Sequence, residues 1–346
     1  MQNSEVFIFT AISFVISLIS MPVIIAVCKK RNIYDYQDER KIHSGNISRL
    51  GGIGVFIAFV ISSLVFALVS ESIEFMQALP VVIGACIIMC FGLADDILNL
   101  RAIVKLIAQM AAAFVVVAFG MRFTQIFNWV LPLPLSILIT FGWIIGITNA
   151  YNLIDGLDGL CGSLSFTGVT TLGIIFMLSG NSEASICFIL AAAILGFLCF
   201  NWPPAKIFMG DAGSQFLGFM ISVIPLYTSG DSFEFNKFLI MLVLTAFPTF
   251  DTIAAIWRRL REHRSIMSPD KSHLHHKFLN LGYTKTATLY VILVLQLLLC
   301  AAVVASFFME KTAGLILLSS AFTFMVVFFT IIHYTNCAVV RKHNKA

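Results

Sequence analysis

The chain has 346 residues, 59% hydrophobic and 12% charged, with mean hydropathy +0.94 and formal net charge +4. Soluble domains average about 45–50% apolar and about 25% charged residues, so too little polar surface remains here to cover a globule in water. A soluble enzyme, a disulfide-stapled secreted scaffold and a disordered chain are excluded, and the eight cysteines form no CxxC pair.

A spanning helix needs about 20 apolar residues, and eleven runs qualify: 6–27, 51–70, 76–94, 103–120, 132–148, 160–179, 184–200, 213–229, 236–257, 286–308 and 312–334. They are too long and unbroken for barrel strands, which need only ~10 alternating residues. The fold class predicted is all-α: a polytopic membrane protein with one transmembrane domain over 1–346. Its polar loops lie at about 29–50, 95–102, 149–160, 201–213 and 258–285. Lys29-Lys30-Arg31 follows the first run instead of preceding it, which reads as a first span with its amino end outside, not a cleaved signal. With that start, only Arg122, Lys237 and Lys311 fall on the outer side, and 19 of the 22 Lys and Arg face the cytoplasm, as does the carboxyl end. The positive charge is thus topological and gives no sign of a nucleic-acid partner. No pair of Gly/Pro-broken spans recurs in matching halves, which counts against an inverted-repeat transporter.

Six aspartates, Asp95, Asp96, Asp155, Asp158, Asp211 and Asp251, sit where spans meet the cytoplasmic side. Charges at that depth are costly and face a partner, an ion or water, so basic counter-charges and a divalent cation are expected. In GLADDILNLRAIVKL (91–105), the pair Asp95-Asp96 ends a span, and Arg101 and Lys105 follow. The plain reading is a solvated turn; the sharper one is a metal or phosphate site. In TNAYNLIDGLDGL (148–160), Asn149 and Asn152 are three apart, as are Asp155 and Asp158, a spacing that shares one helix face and suits sugar hydroxyls, an amide or a metal. In FNWPPAKIFMGDAGS (200–214), Asp211 opens a helix, as an N-cap or as a Mg²⁺ ligand beside amides facing a phosphate. Phe208 is an interfacial aromatic or a platform for a base. Residues 251–283 carry Arg258, Arg259, Arg261, Arg264 and Lys271, then His273, His275 and His276. Each arginine singly is accounted for by topology. The histidines suit a diphosphate better than zinc, since no fixed fourth ligand lies nearby. The first inner loop adds Arg40, Lys41, His43 and Arg49. Carboxylates, cations and amides at one membrane face are the equipment of phosphoryl transfer.

At these residues the sequence resembles the polyprenyl-phosphate N-acetylhexosamine-1-phosphate transferase family. The similarity runs from about Arg40 to Gly282 through RKIH…SRLGG, GLADDILNLRA, NAYNLIDGLDGL, FN…PAKIFMGDAGS, DT and HLHH. The resemblance implies an all-helical bundle in the bacterial inner (plasma) membrane with a cytoplasmic cleft. There HexNAc-1-phosphate passes from a UDP-N-acetylhexosamine to undecaprenyl phosphate, releasing UMP, with Mg²⁺ as cofactor and Mn²⁺ as a substitute. It implies catalytic roles for Asp95, Asp96, Asp155, Asp158, His275 and His276, with Asp95 deprotonating the lipid phosphate. Asp211 and Asp155 are the implied metal ligands. Lys41, His43, Arg49, Lys105, Asn149, Asn152, Phe208, Arg264 and His273 are the implied substrate contacts. Membrane lipids are partners, and a homodimer is compatible. HLHH, in place of three consecutive histidines, points to the UDP-GlcNAc branch that starts O-antigen, teichoic-acid or similar glycans; the peptidoglycan branch is the runner-up. A nucleotide-sugar or anion transporter is the reading from another class. The chain departs from the family pattern at Ser48, where Pro is usual, and at Ile266-Met267, where Pro-Phe is usual.

Overall fold

A computed structural model of the chain describes residues 3–34, 47–70, 75–227, 231–265 and 273–343. Lys41, His43 and the Ile266-Met267 departure lie outside these residues. Among the described residues there are thirteen α-helices. The first seven are α1 (Asn3–Arg31), α2 (Gly51–Ser70), α3 (Phe75–Leu98), α4 (Ala102–Ala118), α5 (Leu133–Ile154), α6 (Leu160–Leu178) and α7 (Ala184–Asn201). The rest are α8 (Gly210–Val223), α9 (Asp231–Leu244), α10 (Ala246–Arg261), α11 (Leu274–Asn280), α12 (Lys285–Phe307) and α13 (Lys311–His343). A two-residue antiparallel hairpin, β1 (Gln125–Ile126) and β2 (Trp129–Val130), joins α4 to α5. Helix is the form that satisfies every backbone group within one segment, as hydrocarbon demands.

Eight helices are long and apolar enough to cross a membrane, or nine if α9 and α10 count as one bent span. The chain is a polytopic helical membrane protein. Large apolar side chains such as Phe7, Leu68, Phe114, Leu138, Leu298 and Ile331 point outward, where lipid rather than water suits them.

The expected continuous span over 236–257 is corrected: it breaks between α9 and α10 with a 74° bend. Pro248 has no N–H to give the Leu244 carbonyl four residues back. That carbonyl instead accepts from Gln296 Nε2 of α12 at 3.0 Å. The expected loops are also shorter than read, because α3 continues through Asp95 and Asp96 to Leu98, and α5 continues through Asn149 and Asn152 to Ile154.

Helix α8 is the axis of the bundle, and every residue from Ala212 to Val223 is buried. Its neighbours reach it through small residues. A Cβ on Gly52 of α2 would lie 2.2 Å from the Gly213 Cα, and one on Gly92 of α3 would lie 2.5 Å from the Ala212 Cα. A Cβ on Gly218 would lie 2.8 Å from the Thr148 Cα of α5. Such approaches let helices gain dispersion contacts where lipid supplies no hydrophobic drive. Polar ties add direction: Trp143 Nε1 donates to the Ser222 carbonyl at 3.1 Å. Ser13 and Ser17 of α1 donate to the Ile189 and Ala193 carbonyls of α7 at 2.8 and 2.6 Å. Gln109 of α4, Asn149 of α5 and Gln215 of α8 form one amide network, with Gln109 Nε2 donating to Gln215 Oε1 at 2.9 Å and Asn149 Nδ2 donating to Gln109 Oε1 at 2.6 Å.

Gly52→Ala is therefore expected to cost about 1–3 kcal/mol, because the clash is with backbone that cannot yield. Gly142→Ala on an open face of α5, with nothing within 4 Å of the new Cβ, is expected to leave stability unchanged or raise it by up to ~1 kcal/mol. Thermal unfolding in detergent compares the two; equal melting temperatures would refute the close-packed α2–α8 crossing.

Candidate active site

The polar face is assembled at the ends of α3 and α5, the first half of α10 and the starts of α2, α4, α8 and α11. Helix α3 closes at Asn99, which takes a left-handed φ of +51° and returns its N–H to the Asp95 carbonyl at 2.8 Å. Asparagine tolerates that conformation better than most residues. The turn aims the Leu100 N–H at Asp95 Oδ1, 2.8 Å away. One turn into α4, Lys105 Nζ contacts Asp95 Oδ2 and lies 2.7 Å from Asp211 Oδ2. Asp211 Oδ1 accepts from Asn152 Nδ2 at 3.1 Å, and the same amide reaches Ser214 Oγ at 3.0 Å. Asp95, Lys105, Asn152 and Asp211, residues read from three separate motifs, thus form one contact network.

Asp96 does something the sequence reading did not foresee. Its Oδ1 accepts from the Asp211 N–H at 2.9 Å and its Oδ2 from the Ala212 N–H at 3.0 Å. The α8 amides expected to face a phosphate are held instead by this buried carboxylate, which suits the positive end of the helix dipole. Arg49 completes the arrangement, donating from Nη2 to the Asp96 main-chain carbonyl, with Nε 3.9 Å from Oδ1. Gly210 is required at this junction: its φ is +77°, and a Cβ would lie 2.1 Å from the Arg49 carbonyl oxygen.

The SRLGG segment docks by its backbone on residues 207–209. Phe208 N–H donates to the Ser48 carbonyl at 2.7 Å, Gly51 N–H to the Phe208 carbonyl at 2.9 Å, and Gly52 N–H to the Met209 carbonyl at 2.8 Å. The half-buried Phe208 is thereby fixed beside the α8 entrance. Asn201, which sequence reasoning passed over, joins two loops: Oδ1 accepts from the Gly159 N–H at 3.0 Å and Nδ2 donates to the Ile207 carbonyl at 2.8 Å. Asp158 Oδ2 accepts from the Ala205 N–H at 3.1 Å, so it positions the 201–209 loop. Asp155 is half-buried in the intervening turn.

The histidine segment is organised by Asp251 of α10. Its Oδ1 accepts from the Leu274 N–H at 2.8 Å and its Oδ2 from His273 Nδ1 at 2.7 Å. A carboxylate on one ring nitrogen fixes the orientation of an imidazole. The His273 and His275 rings are parallel with centroids 6.1 Å apart, and His275 and His276 are 4.3 Å apart. Buried His275 lies over Gly156, where a Cβ would come within 2.5 Å of its Cε1. This contact ties the histidine segment to the 155–159 turn. Burial, reinforced by His276, pushes the His275 imidazole down to about 3, so it is neutral at physiological pH and not a cation.

Two expected substrate contacts sit elsewhere than anticipated. Asn149 spends its amide on Gln109 and on the Ile145 carbonyl, a role inside the bundle. Arg264 pairs with Glu262, 3.1 Å away, on an exposed turn. The residues missed were the neutral ones, Gln109, Asn201, Ser214 and Gln215. Their signal was a polar amide or hydroxyl within or ending an apolar span.

Since the unfolded chain protonates His275 near 6.5 while the fold resists until about 3, its neutral ring stabilises the fold fully above pH 6.5. That contribution is lost progressively as pH falls toward 3. His275→Phe, which cannot titrate, is expected to show a shallower fall in melting temperature between pH 7.5 and 5 than the unsubstituted protein. Parallel pH profiles would refute a buried neutral His275.

Residues 78–229, which carry both the Asp95–Lys105 and the Asn152–Asp211 segments, match the model of glycosyl transferase family 4. The chain is 35% identical over 296 residues to a Bacillus subtilis (strain 168) protein named "Probable undecaprenyl-phosphate N-acetylglucosaminyl 1-phosphate transferase", covering 81% of this chain and 80% of that one. It is 34% identical to the decaprenyl-phosphate N-acetylglucosaminephosphotransferase of Mycolicibacterium smegmatis, covering 72% and 69%. It is 30% identical to the undecaprenyl-phosphate alpha-N-acetylglucosaminyl 1-phosphate transferase of Escherichia coli (strain K12), covering 86% and 83%. With carboxylates, lysine and amides meeting at one end of an apolar bundle and relatives of this similarity over most of its length, the chain belongs to the polyprenyl-phosphate N-acetylhexosamine-1-phosphate transferase family.

Proposed function

We propose that this protein transfers GlcNAc-1-phosphate from UDP-GlcNAc to undecaprenyl phosphate, releasing UMP and starting a lipid-linked glycan of the cell envelope. The observation that carries the reading is the convergence of Asp95, Lys105, Asn152 and Asp211 at one end of an apolar bundle. A lipid-borne phosphate and a soluble nucleotide sugar can meet there. A transporter would place such groups near mid-membrane, whereas here they lie at helix ends. By sequence, 19 of the 22 basic residues are expected on the cytoplasmic side, which supports a site facing the cytoplasm of the bacterial inner membrane.

Mg²⁺ fits the donor set. It is usually held by one or two carboxylates together with substrate phosphates. Asp95 and Asp211 offer two carboxylates turned toward one point, while among the described residues no three His, Cys, Asp or Glu side chains form an all-protein cage. When bound, the ion would neutralise diphosphate charge. In this reading Asp211 is the principal metal ligand and Asp95 keeps the lipid phosphate ionised. Lys105 binds a phosphate oxygen, and the histidine segment lies along the diphosphate. A lipid phosphate oxygen then bonds to the sugar-bearing β-phosphorus as the bond to the bridging oxygen breaks and UMP leaves. Because a phosphate monoester is already largely ionised near pH 7, with its second pKa about 6, proton removal by Asp95 contributes less than charge positioning.

Purified protein with undecaprenyl phosphate and Mg²⁺ is expected to release UMP from UDP-GlcNAc and not from UDP-MurNAc-pentapeptide; the reverse preference would move the chain to the peptidoglycan branch. Asp211→Asn is expected to lower UMP release by about 10²-fold or more with an unchanged melting profile. Near-full activity of that variant would sink the metal assignment.

A further inference from the structure

We propose that Lys105 is a resident counter-ion: it holds the cation position between Asp95 and Asp211 and is displaced when a divalent metal enters. Metal loading and presentation of an ammonium group to the substrate phosphates then become a single event. The inference rests on the transferase reading only for what the freed lysine goes on to bind.

Every oxygen of the two facing carboxylates is engaged. Asp95 Oδ1 accepts from the Leu100 N–H at 2.8 Å and Asp211 Oδ1 from Asn152 Nδ2 at 3.1 Å. The Oδ2 atoms of both residues meet at Lys105 Nζ, which contacts Asp95 Oδ2 and lies 2.7 Å from Asp211 Oδ2. A dication drawn to both Oδ2 atoms must occupy the volume the ammonium fills, because two cations cannot share those oxygens at contact distance without strong repulsion. Lysine is suited to yield: it is a single charge on a flexible four-carbon stem, and the Lys105 side chain keeps 26% of its surface exposed. Asp96 cannot take over, since both of its oxygens are held by α8 amides and Arg49 lies behind it.

The exchange also reverses the sign of the site. Around Lys105, the two carboxylates of Asp95 and Asp211 against one ammonium leave a net negative charge, which disfavours the approach of a nucleoside diphosphate sugar. A dication makes the total positive and releases the lysine toward the anion that follows. Entry of the metal thereby favours the anionic substrate that follows.

The test is Mn²⁺ binding to the substrate-free protein, read from the free-ion electron paramagnetic resonance signal. Lys105→Met removes the competitor and is expected to bind Mn²⁺ about tenfold more tightly than the unsubstituted chain, a typical coupling between linked sites. The double variant Lys105→Met/Asp211→Asn should lose that binding. Equal or weaker Mn²⁺ affinity in a Lys105→Met protein with a normal melting profile would overturn the proposal. Should that variant not fold, the unsubstituted protein supplies a second readout by amine-acylation footprinting. Lys105 is expected to become several-fold more reactive on Mn²⁺ saturation, and unchanged reactivity would overturn the exchange. UMP release, measured separately, reports on the transferase reading and not on this proposal.

Discussion

The Asp96 carboxylate on the first amides of α8 is the interaction on which the rest of this molecule depends. An isolated carboxylate in an apolar bundle costs several kcal/mol. Here the amides of Asp211 and Ala212 and the nearby Arg49 guanidinium recover part of that cost. The bond also has a geometric result. It fixes the end of α3 against the start of α8, and Arg49 brings in the start of α2. Asp211 therefore emerges from a helix whose rotation and height are set, with its side chain turned to Lys105 and Asn152.

The close glycine contacts around α8 serve the same end. Gly52, Gly92 and Gly218 permit backbone approach on three sides, so the helix that carries Asp211 cannot shift without displacing its neighbours. Above the site, hydrogen bonds from Asn149 to Gln109 and from Gln109 to Gln215 keep α4, α5 and α8 in register within the apolar layer. Rigid positioning of this sort is what phosphoryl transfer asks of a protein, since its covalent chemistry is slight and the gain comes from placement and charge.

The histidine segment is built on different principles. Asp251 positions His273, and His275 is neutral and wedged against Gly156. A neutral ring holds two elements together without adding charge beside the carboxylates. Lys105 and Arg49 supply the positive charge that lies against Asp95, Asp96 and Asp211. His273, His275 and His276 look alike as letters, yet burial and partners separate their roles.

Much of this was legible in the residues alone. Long apolar runs allow only helices in hydrocarbon, and a charged side chain at a span end must have a partner, so the membrane class and a polar face carrying Asp95, Lys105, Asn152 and Asp211 were legible in the sequence, while the contacts among these four were not. What each carboxylate touches did not. Asp95 and Asp96 are adjacent in the chain, but on a helix they point about 100° apart. One therefore reaches Lys105 and the other caps α8, a distinction that exists only once α3 and α8 are packed. The break at Thr245 was equally hidden, because a proline bend survives in a membrane only when another helix, here through Gln296, satisfies the freed carbonyl. Local pattern determined which segments are helical and which residues carry the chemistry. Tertiary packing decided which polar atoms are spent on holding helices together and which are left for substrate, because hydrogen bonds in an apolar medium are assigned by contact and not by sequence spacing.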